Sequence, residues 1–360
     1  MAMKLLCRLL ASATAICTLA ATAHAADFVY TNKHADITKM CGTKPTRVAM
    51  IDGQGGDTWR KTSLAELRDE ASKCKNITEV QYTDAGGDAQ AYNSAINAYT
   101  AQGFDIIIAF TDFGDAAIPA YREATKAGVI MAPYFNNLGG EIGVDYSVNT
   151  YEDAFTEGKM FGDWVGKTVK KGNTVFLGGI PGAASSTAYF EGYKEGLKAY
   201  PNIKLLDENF IVTNWNPADA QRAVTGLIAR YPKIDAIGAD YGQSSLAAVK
   251  AFEQAGLAVP AMAYPGTNNE YSCKFIDQKA AGKAWKQFAV SGNTADIRFA
   301  LRAALAKFQG TENNEPRAAV AYTFSDTEAG LDPLCDKNAP PDADLGSSLP
   351  REKLIELFKH

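Results

Sequence analysis

One stretch of the sequence, residues 101–137, limits the possible folds of this chain more than any other. It reads AQGFDIIIAFTDFGDAAIPAYREATKAGVIMAPYFNN, and its apolar run at residues 105–110 is typical of a parallel strand buried on both faces. Alanines at near-helical spacing follow at residues 116–127, Gly128 ends the predicted helix, and residues 129–132 resume as a strand. The segment therefore predicts a strand–helix–strand unit of an α/β protein.

The rest of the sequence continues this alternation almost to its end. Helices of about 10 to 15 residues between strands indicate a parallel sheet that is covered on both faces. One set of strands ends near Asn136 and a second begins near Asn173, which predicts two doubly wound sheets in two lobes. The further predicted strands cover residues 46–51, 77–82, 173–177, 204–212, 236–239, 261–264 and 284–288. The further predicted helices cover residues 58–74, 89–102, 151–169, 186–200, 218–231, 244–255, 274–281 and 294–309.

The beginning of the chain has the pattern of a secretory signal peptide at residues 1–25. Lys4 and Arg8 precede an apolar, alanine-rich run that closes with the small-residue triplet Ala23, His24 and Ala25. We therefore expect an exported protein whose mature chain begins at Ala26. At the other end, residues 336–350 are rich in proline, aspartate and serine and predict an irregular strap, followed by a short terminal helix.

Cysteine spacing predicts disulfides rather than a metal site. Removal of the signal peptide leaves Cys41, Cys74, Cys273 and Cys335, and an even count in an oxidising compartment favours two disulfides. Of the three possible pairings we favour Cys41 with Cys74 and Cys273 with Cys335, because each would tie an extension to a neighbouring helix end. No CxxC or HxxxH spacing accompanies them, so no metal is expected.

Charge and motif content exclude several classes of function. The formal net charge is -5 without a basic cluster, so nucleic acid is not expected as a partner. The mature chain has two histidines, His34 and His360, at its two ends, which argues against Ser-His-Asp or Cys-His catalysis. Residues 166–168 read GKT, but Phe161 stands where a phosphate loop needs glycine, so no cofactor is expected.

Aromatic and polar residues recur directly after the predicted strands. The carboxyl ends of the strands are where doubly wound sheets bind their ligands, and aromatic rings there stack on small rings while carboxylates and amides bind hydroxyls. Each residue alone has the alternative of a core aromatic or a helix cap. The residues at these positions are Asp57, Trp59, Arg60, Asp112, Phe113, Tyr134, Asn136, Trp215, Asp240 and Tyr241.

Five stretches of the chain, within residues 46–323, resemble the type I periplasmic substrate-binding proteins, in particular the ribose-like sugar-binding branch that serves ABC importers. These stretches are RVAMIDGQGGDTWRKTSLAEL, DAQAYNSAINAYTAQGFDIIIAFTDFGDAAIPA, KAGVIMAPYFN, VFLGGIPGAASSTAYFEGYKEGL and AIGADYGQSSLAAVKAFEQAG. The resemblance implies two α/β lobes joined by a three-crossing hinge, a monomer, a periplasmic location and an ABC permease as partner. It implies an N-terminal lobe of residues 46–147 plus 291–317, a C-terminal lobe of residues 148–290 plus 318–335, and an extension of residues 336–360.

The resemblance also implies roles for individual residues. Asp57, Trp59 and Arg60 match the polar and stacking positions of the first turn, and Trp215 matches a stacking position in the other lobe. Asp240 and Tyr241 match positions that often carry a carboxylate and an amide. Thr187 stands where many relatives carry arginine, and Gln287 lies near a polar position at the hinge.

Two positions depart from the pattern of pentose binders. Tyr134, Phe135 and Asn136 follow the fifth strand, where such proteins carry Asp-Arg, and Pro265 replaces an aspartate. The resemblance with these departures implies a less hydroxylated, more apolar or larger ligand than a simple aldopentose.

The favoured hypothesis is a solute-binding protein, not an enzyme, that closes on a small neutral hydroxylated ligand such as a sugar or polyol. Asp57, Asp112 and Asp240 outnumber the nearby Arg60, so we expect a neutral or weakly cationic ligand with several donors. A second hypothesis is a sensor subunit that presents a signalling ligand to a membrane receptor. A third is an exported glycoside hydrolase that uses Asp112 and Asp240 as acid and base.

Overall fold

The computed structural model of the chain describes residues 28–266 and 268–359 as an α/β protein. The predicted signal peptide at residues 1–25 lies outside the described residues. The strands are β1 Phe28–Tyr30, β2 Thr46–Asp52, β3 Ile77–Asp84, β4 Ile106–Phe110, β5 Ile130–Phe135, β6 Thr150–Glu152, β7 Gly172–Gly178, β8 Ile203–Leu205, β9 Ile211–Val212, β10 Ala236–Ala239, β11 Ala261–Pro265, β12 Gln287–Val290, β13 Ala318–Val320 and β14 Thr323–Asp326. The α-helices are α1 Thr58–Ala71, α2 Ala89–Ala101, α3 Ile118–Lys126, α4 Ala154–Val169, α5 Ala184–Leu197, α6 Pro217–Arg230, α7 Gly242–Gln254, α8 Asn269–Ala280, α9 Asp296–Gln309 and α10 Arg351–Leu357.

The first sheet has the strand order β1-β13-β6-β5-β4-β2-β3, and every neighbouring pair is parallel. Its central strands are buried on both faces, as a continuous apolar run requires. In β2, Val48 and Met50 pack into one core layer while Ala49 and Ile51 pack into the opposite layer. The first lobe therefore has helices on both sides of its sheet.

The second sheet has the strand order β14-β12-β11-β10-β7-β8, with β9 paired to β7. All of these pairs are parallel except the edge pair β12–β14, which is antiparallel. Val175 and Leu177 of β7 face one core layer and Phe176 faces the other. Two doubly wound parallel sheets in two lobes are the predicted fold class, and the structure confirms it.

Two of the predicted lobe boundaries need correction. Crossings were expected at residues 147–149 and 316–319, but β6 and β13 both belong to the first sheet. The reason is pairing, because Tyr134 of β5 lies opposite Thr150, and Tyr151 lies opposite Ala318. The chain therefore leaves the first sheet after Glu152 and again after Val320.

Local structure differs from the prediction at the start of one helix and in several short strands. The helix predicted from Tyr151 begins at Ala154, because Asp153 caps it by accepting a hydrogen bond from the Thr156 amide at 3.0 Å. The strand predicted at residues 204–212 is two short strands, β8 and β9. Four strands of three or four residues, β1, β6, β13 and β14, have no counterpart in the prediction.

A buried charge cluster joins α1 to α9 in the first lobe. Arg298 of α9 donates to Glu66, to Asp69 at 2.8 Å and to Glu70 at 2.8 Å. Arg302, one turn further, donates to the other oxygen of Glu70 at 2.9 Å. We call these five residues the α1–α9 charge cluster. Every carboxylate in it has an arginine partner, which is the condition under which buried charges are tolerated.

The two disulfides have the pairing favoured from the sequence. Cys41 bonds to Cys74 just beyond the end of α1, with their Cα atoms 5.3 Å apart. Cys273 of α8 bonds to Cys335 with a Cα separation of 4.7 Å. The second bond fixes the start of residues 336–350, which we call the C-terminal strap. In residues 28–266 and 268–359, no helix combines the length and the apolar character needed to cross a bilayer.

Candidate functional site

A cavity of about 130 Å³ lies where the carboxyl ends of the two sheets face each other. A cavity of roughly 150 Å³ accommodates one benzene molecule, so this one fits a single small ring. Its walls combine aromatic faces with carboxylates, the chemistry that binds hydroxylated rings. The aromatic residues of the lining are Trp59, Phe110, Phe135, Tyr189, Trp215 and Tyr241. The acidic residues of the lining are Asp57, Glu152, Asp240, Asp342 and Asp344.

The first turn of α1 places Trp59 in the cavity wall. Asp57 caps the helix, because its Oδ1 accepts from the Arg60 amide at 2.7 Å. The indole of Trp59 then packs edge-on against Phe135, with ring centroids 4.9 Å apart, and its Nε1 donates to the Gly292 carbonyl. Gly292 follows β12 of the second sheet, so Trp59 spans the gap between the lobes.

Arg60 is the cation of the described cavity lining, and its charge is already balanced. Its guanidinium donates to Asp52 and to Asp112, each at 3.0 Å. The guanidinium carbon also lies 3.5 Å from the centroid of the Phe110 ring, which is a cation–π contact. Burial raises the pKa of Asp52 to about 6 despite the arginine beside it. Arg60 therefore balances two carboxylates behind the cavity wall instead of standing free for a ligand.

Trp215 reaches the cavity from the second lobe on a strained loop. Asn214 and Trp215 both have left-handed backbones, with φ of 53° and 50°, a conformation that costs free energy in residues other than glycine. The indole lies against Gly179, where an added Cβ would come within 2.0 Å of the ring. Its Nε1 donates to Oδ2 of Asp240 at 3.3 Å. Strain of this kind is common at binding sites.

Asp240 follows β10 and turns one oxygen towards protein donors. Its Oδ2 accepts from the Gly179 amide at 3.2 Å and from the hydroxyl of Ser186. Its buried Oδ1 has no hydrogen-bond partner among the described residues. Burial raises the pKa of this carboxyl to about 6, and the hydrogen bonds offset only part of the cost. Oδ1 is therefore available to a ligand donor.

Two buried glutamates, Glu152 and Glu157, lie where the chain passes from the first lobe to the second. Glu152 of β6 accepts hydrogen bonds from the Tyr189 hydroxyl and from Nδ2 of Asn293 at 2.5 Å. The same Tyr189 oxygen lies 2.7 Å from Oε2 of Glu157 of α4. Burial, followed by the charge of Glu157, raises the pKa of Glu152 well above its usual range. The pair holds a proton between the two lobes because two charged carboxylates repel each other there.

Six of the predicted site residues, Asp112 among them, do not line the cavity. Tyr134 is buried in the first core, where its hydroxyl lies 3.2 Å from Oγ of Ser63. Phe113 packs edge-on against Tyr92, with centroids 5.5 Å apart, on the other side of the sheet. Phe135, rather than Tyr134, lines the cavity, because its left-handed backbone, with φ of 71°, takes it out of the regular alternation of β5.

The remaining residues of this group hold the protein's own backbone and core. Asn136 donates to the Thr111 carbonyl at 2.8 Å, and Thr187 donates to the Ala183 carbonyl at 2.9 Å, so both stabilise local turns. Gln287 bonds to Tyr264, Trp285 and Ser325 inside the second lobe.

The sequence analysis missed several members of the lining. Phe110 ends β4 two positions before Asp112, and its place in an apolar run predicts a buried strand residue. Glu152 falls within the helix predicted at residues 151–169, and Tyr189 has the pattern of a core aromatic on α5. Asp342 and Asp344 come from the C-terminal strap, for which the sequence indicated only an irregular segment. Their signal was the run PPDAD, in which two acids interrupt a proline-rich stretch.

Comparison with known families gives a match over most of the chain. A family model described as a periplasmic binding protein domain matches residues 48–311. The galactofuranose-binding protein YtfQ of Escherichia coli (strain K12) is 26% identical over 174 residues, which are 48% of this chain and 54% of that protein. The matches span about half the length of the curated relatives.

Solved structures with the same fold cover more of the chain. The Caulobacter myo-inositol binding protein, bound to myo-inositol, has a TM-score of 0.67 and 22% identity over 78% of this chain and 93% of its own. An ABC transporter periplasmic solute-binding protein from Actinobacillus succinogenes 130z, with bound D-allose, has a TM-score of 0.65 and 22% identity over 77% and 95%. These two structures share the two-lobed architecture described above.

Proposed function

Because the chain belongs to the periplasmic binding protein family, we propose that it binds a small hydroxylated molecule of the sugar or polyol class between its two lobes. It then presents the loaded form to the permease of an ABC importer in the inner membrane. Relatives named for galactofuranose, D-allose and myo-inositol support this class of ligand. The signal-peptide pattern at residues 1–25 supports a periplasmic location.

The single observation that carries the proposal is the cavity between the carboxyl edges of the two sheets. Trp59 from the first lobe and Trp215 from the second both line it, and Asp240 turns an unpaired oxygen into its wall. Flat aromatic faces cover the apolar faces of a ring, and carboxylates accept from its hydroxyl groups. Such a site gives affinity through burial and orientation through hydrogen bonds.

The same geometry supports binding rather than hydrolysis. A glycoside hydrolase that uses Asp112 and Asp240 needs both carboxyls at the substrate. Asp112 is instead paired with Arg60 at 3.0 Å and does not line the cavity. Transport without chemical change of the ligand is therefore the function that the site favours.

A thermal-shift screen of the purified mature protein tests the proposal. The panel contains D-galactose, D-allose, myo-inositol and D-glucitol, with nucleosides, dicarboxylates and sugar phosphates as other classes. A ligand at 100 times its dissociation constant adds about 2.7 kcal/mol to the free energy of unfolding, so at least one sugar or polyol should raise Tm clearly. Stabilisation by a dicarboxylate or phosphate ester, with all sugars and polyols silent, contradicts the proposal.

A further inference from the structure

We propose that the C-terminal strap is a wall of the binding site and that Asp344 on it pairs with an amino group of the ligand. This inference rests on the proposed function, and it narrows the ligand from any sugar or polyol to an amino sugar or amino polyol. Three features of the structure carry it. The strap is fixed to both lobes, Asp344 has no cationic partner among the described residues, and Arg60, the one cation in the described part of the lining, is already paired with other carboxylates.

The strap is anchored first on the second lobe. Asn269 at the start of α8 donates to the carbonyls of Asp336 at 2.7 Å and Ala339 at 2.9 Å, and its Oδ1 accepts from the Asp336 amide at 3.0 Å. The disulfide between Cys273 and Cys335 lies beside these bonds. The start of the strap is therefore held covalently and by side-chain hydrogen bonds.

The end of the strap is anchored on the first lobe. The Ser348 amide donates to Glu66 of α1 at 3.0 Å, and the Ser348 hydroxyl lies 2.8 Å from Nε2 of His34. Lys353 of α10 donates to Asp69 at 2.6 Å, and Leu349 and Leu354 join a small apolar cluster with Ala65. The strap thus crosses from one lobe to the other, and Asp342 and Asp344 lie on the crossing.

Asp344 lines the cavity, and no positive charge within residues 28–266 and 268–359 pairs with it. Its Oδ1 accepts from the Gly346 amide at 2.8 Å. Its Oδ2 lies against Gly292, where an added Cβ would be only 2.5 Å away, so a larger residue at this position would displace the carboxylate. Burial is the main cause that raises the pKa of Asp344 to about 7; the hydrogen bond from Gly346 opposes the shift, and the charge of Glu66 adds to it. A cation from outside the protein is what this carboxylate lacks.

The charge of the cavity as a whole favours the same kind of ligand. Among the described lining residues five are acidic, and Arg60 is the one cation. Arg60 is already shared between Asp52 and Asp112, neither of which is a lining residue. An ammonium group entering this cavity meets several uncompensated acceptors, whereas an anion meets like charges in a poorly hydrated space.

Asp344 is a better partner for an ammonium group than Asp240. Asp240 is stabilised by three protein donors, from Gly179, Ser186 and Trp215. Within the described part of the chain, the carboxylate of Asp344 has one donor, the Gly346 amide. The aromatic walls add to the preference, because ring faces attract cations, most strongly when water is excluded. Asp240 therefore suits ligand hydroxyls, and Asp344 suits the amine.

Isothermal titration calorimetry with matched pairs of compounds tests the inference on the full mature chain. The pairs are D-galactose with D-galactosamine, D-glucitol with 1-amino-1-deoxy-D-glucitol, and myo-inositol with an aminodeoxyinositol. In at least one pair, the amino compound should bind roughly tenfold to a hundredfold more tightly, which is the size expected for a hydrogen bond to a charged group.

The neutral members of the pairs distinguish failure of this inference from failure of the proposed function. If a neutral compound binds as tightly as its amino counterpart, or more tightly, in every pair that binds, this inference is overturned while the proposed function stands. If none of the six compounds binds, both the proposed function and the inference fail.

Two variants assign the effect to Asp344. Asp344→Asn keeps the shape and should remove most of the amine preference, because it lowers the affinity for the amino compound more than the affinity for its neutral counterpart. Asp336→Asn is the matched control, because Asp336 lies on the same strap but pairs with Arg351 at 2.9 Å instead of lining the cavity. It should keep the amine preference. An unchanged preference in Asp344→Asn overturns the role of Asp344, and the wild-type comparison decides the ligand class even if this variant does not fold.

Discussion

The α1–α9 charge cluster and the binding cavity are both rich in buried carboxylates. Those of the cluster are paired with arginines, whereas Asp240 and Asp344 of the cavity have no cationic partner among the described residues. In the cluster, Arg298 and Arg302 provide a partner for each acid. Burial opposes ionisation of Asp69, but hydrogen bonds from Lys353 and Arg298 hold its pKa below the usual value. In the cavity, burial raises the pKa of Asp240 to about 6 and of Asp344 to about 7.

This difference separates carboxylates that stabilise the fold from carboxylates that are available to bind a ligand. A paired buried carboxylate contributes to the native state as soon as the chain folds. An unpaired one destabilises the empty protein and recovers that free energy when a donor or a cation binds. The comparison teaches that burial alone does not mark a binding residue, because the carboxylates of the cluster are buried too but are paired with arginines.

The largest expected effect is on the paired side of the comparison. Arg298→Met should lower the free energy of unfolding by about 3 to 5 kcal/mol, because it leaves Glu66 and Asp69 buried beside too little positive charge. Chemical denaturation of the ligand-free protein measures this. Arg222→Met, in an exposed pair with Asp219, is the control and should change it by less than about 0.5 kcal/mol. Equal effects of the two variants would remove the distinction between the regions.

The disulfides give the next largest effect, and they differ in what else they change. Replacing either pair by serines should lower stability by about 2 to 4 kcal/mol. Loss of Cys273–Cys335 should also weaken ligand binding, since it frees the start of the strap that carries Asp344, whereas loss of Cys41–Cys74 should leave binding unchanged. Denaturation and calorimetry of both variants measure these outcomes. Equal binding by the two variants would contradict the role of the strap.

Trp59→Ala and Trp215→Ala should each weaken ligand binding by roughly 2 kcal/mol or more, because the rings face one cavity from opposite lobes. Calorimetry with the tightest compound of the screen measures the loss. Trp164→Ala, in the second core beside Phe288, serves as the control and should reduce stability rather than affinity. Unchanged affinity in both cavity variants would refute the stacking role.

The smallest expected effect concerns the proton held by Glu152. Its pKa is raised in the folded state, so its contribution is complete below the unfolded value of about 4.3 and is lost as pH rises through the folded value. Glu152→Gln should therefore gain stability relative to the wild type as pH rises above about 4.3, by on the order of 1 kcal/mol. Denaturation curves at pH 4.5 and 7.5 test this. A constant difference between the two proteins would contradict a raised pKa.

Strands that form through long-range pairing are the part of the fold that could not be predicted from the sequence. The apolar runs of β2 and β4 and the helix patterns predict the doubly wound sheets, because burial on both faces is written in consecutive residues. Strands β6 and β13 are three residues each, and they pair with each other although Tyr151 and Ala318 are far apart in the sequence. Such pairing over more than a hundred residues leaves no local pattern.

The site shows the same limit. Trp59, Trp215 and Asp240 follow strands and lie in the cavity, as a rule about strand ends predicts. The rule does not give the direction of a side chain, so it predicts Tyr134 as a site residue although Phe135 is the one that lines the cavity. Asp344 follows no strand at all and reaches the cavity because the strap is tied to both lobes.

The outermost strand of the first sheet has a consequence for how the chain folds. Among the described residues, β1 pairs with β13 alone, with Phe28 opposite Ala318 and Tyr30 opposite Val320. This strand, which begins the described part of the chain, therefore has no neighbour until residues 318–320 are available and the other strands of that sheet are in place. Contacts between residues so distant in sequence slow folding, because loop closure must precede them. Docking of β1 is thus expected late, and exchange of its amide hydrogens should report completion of the first lobe.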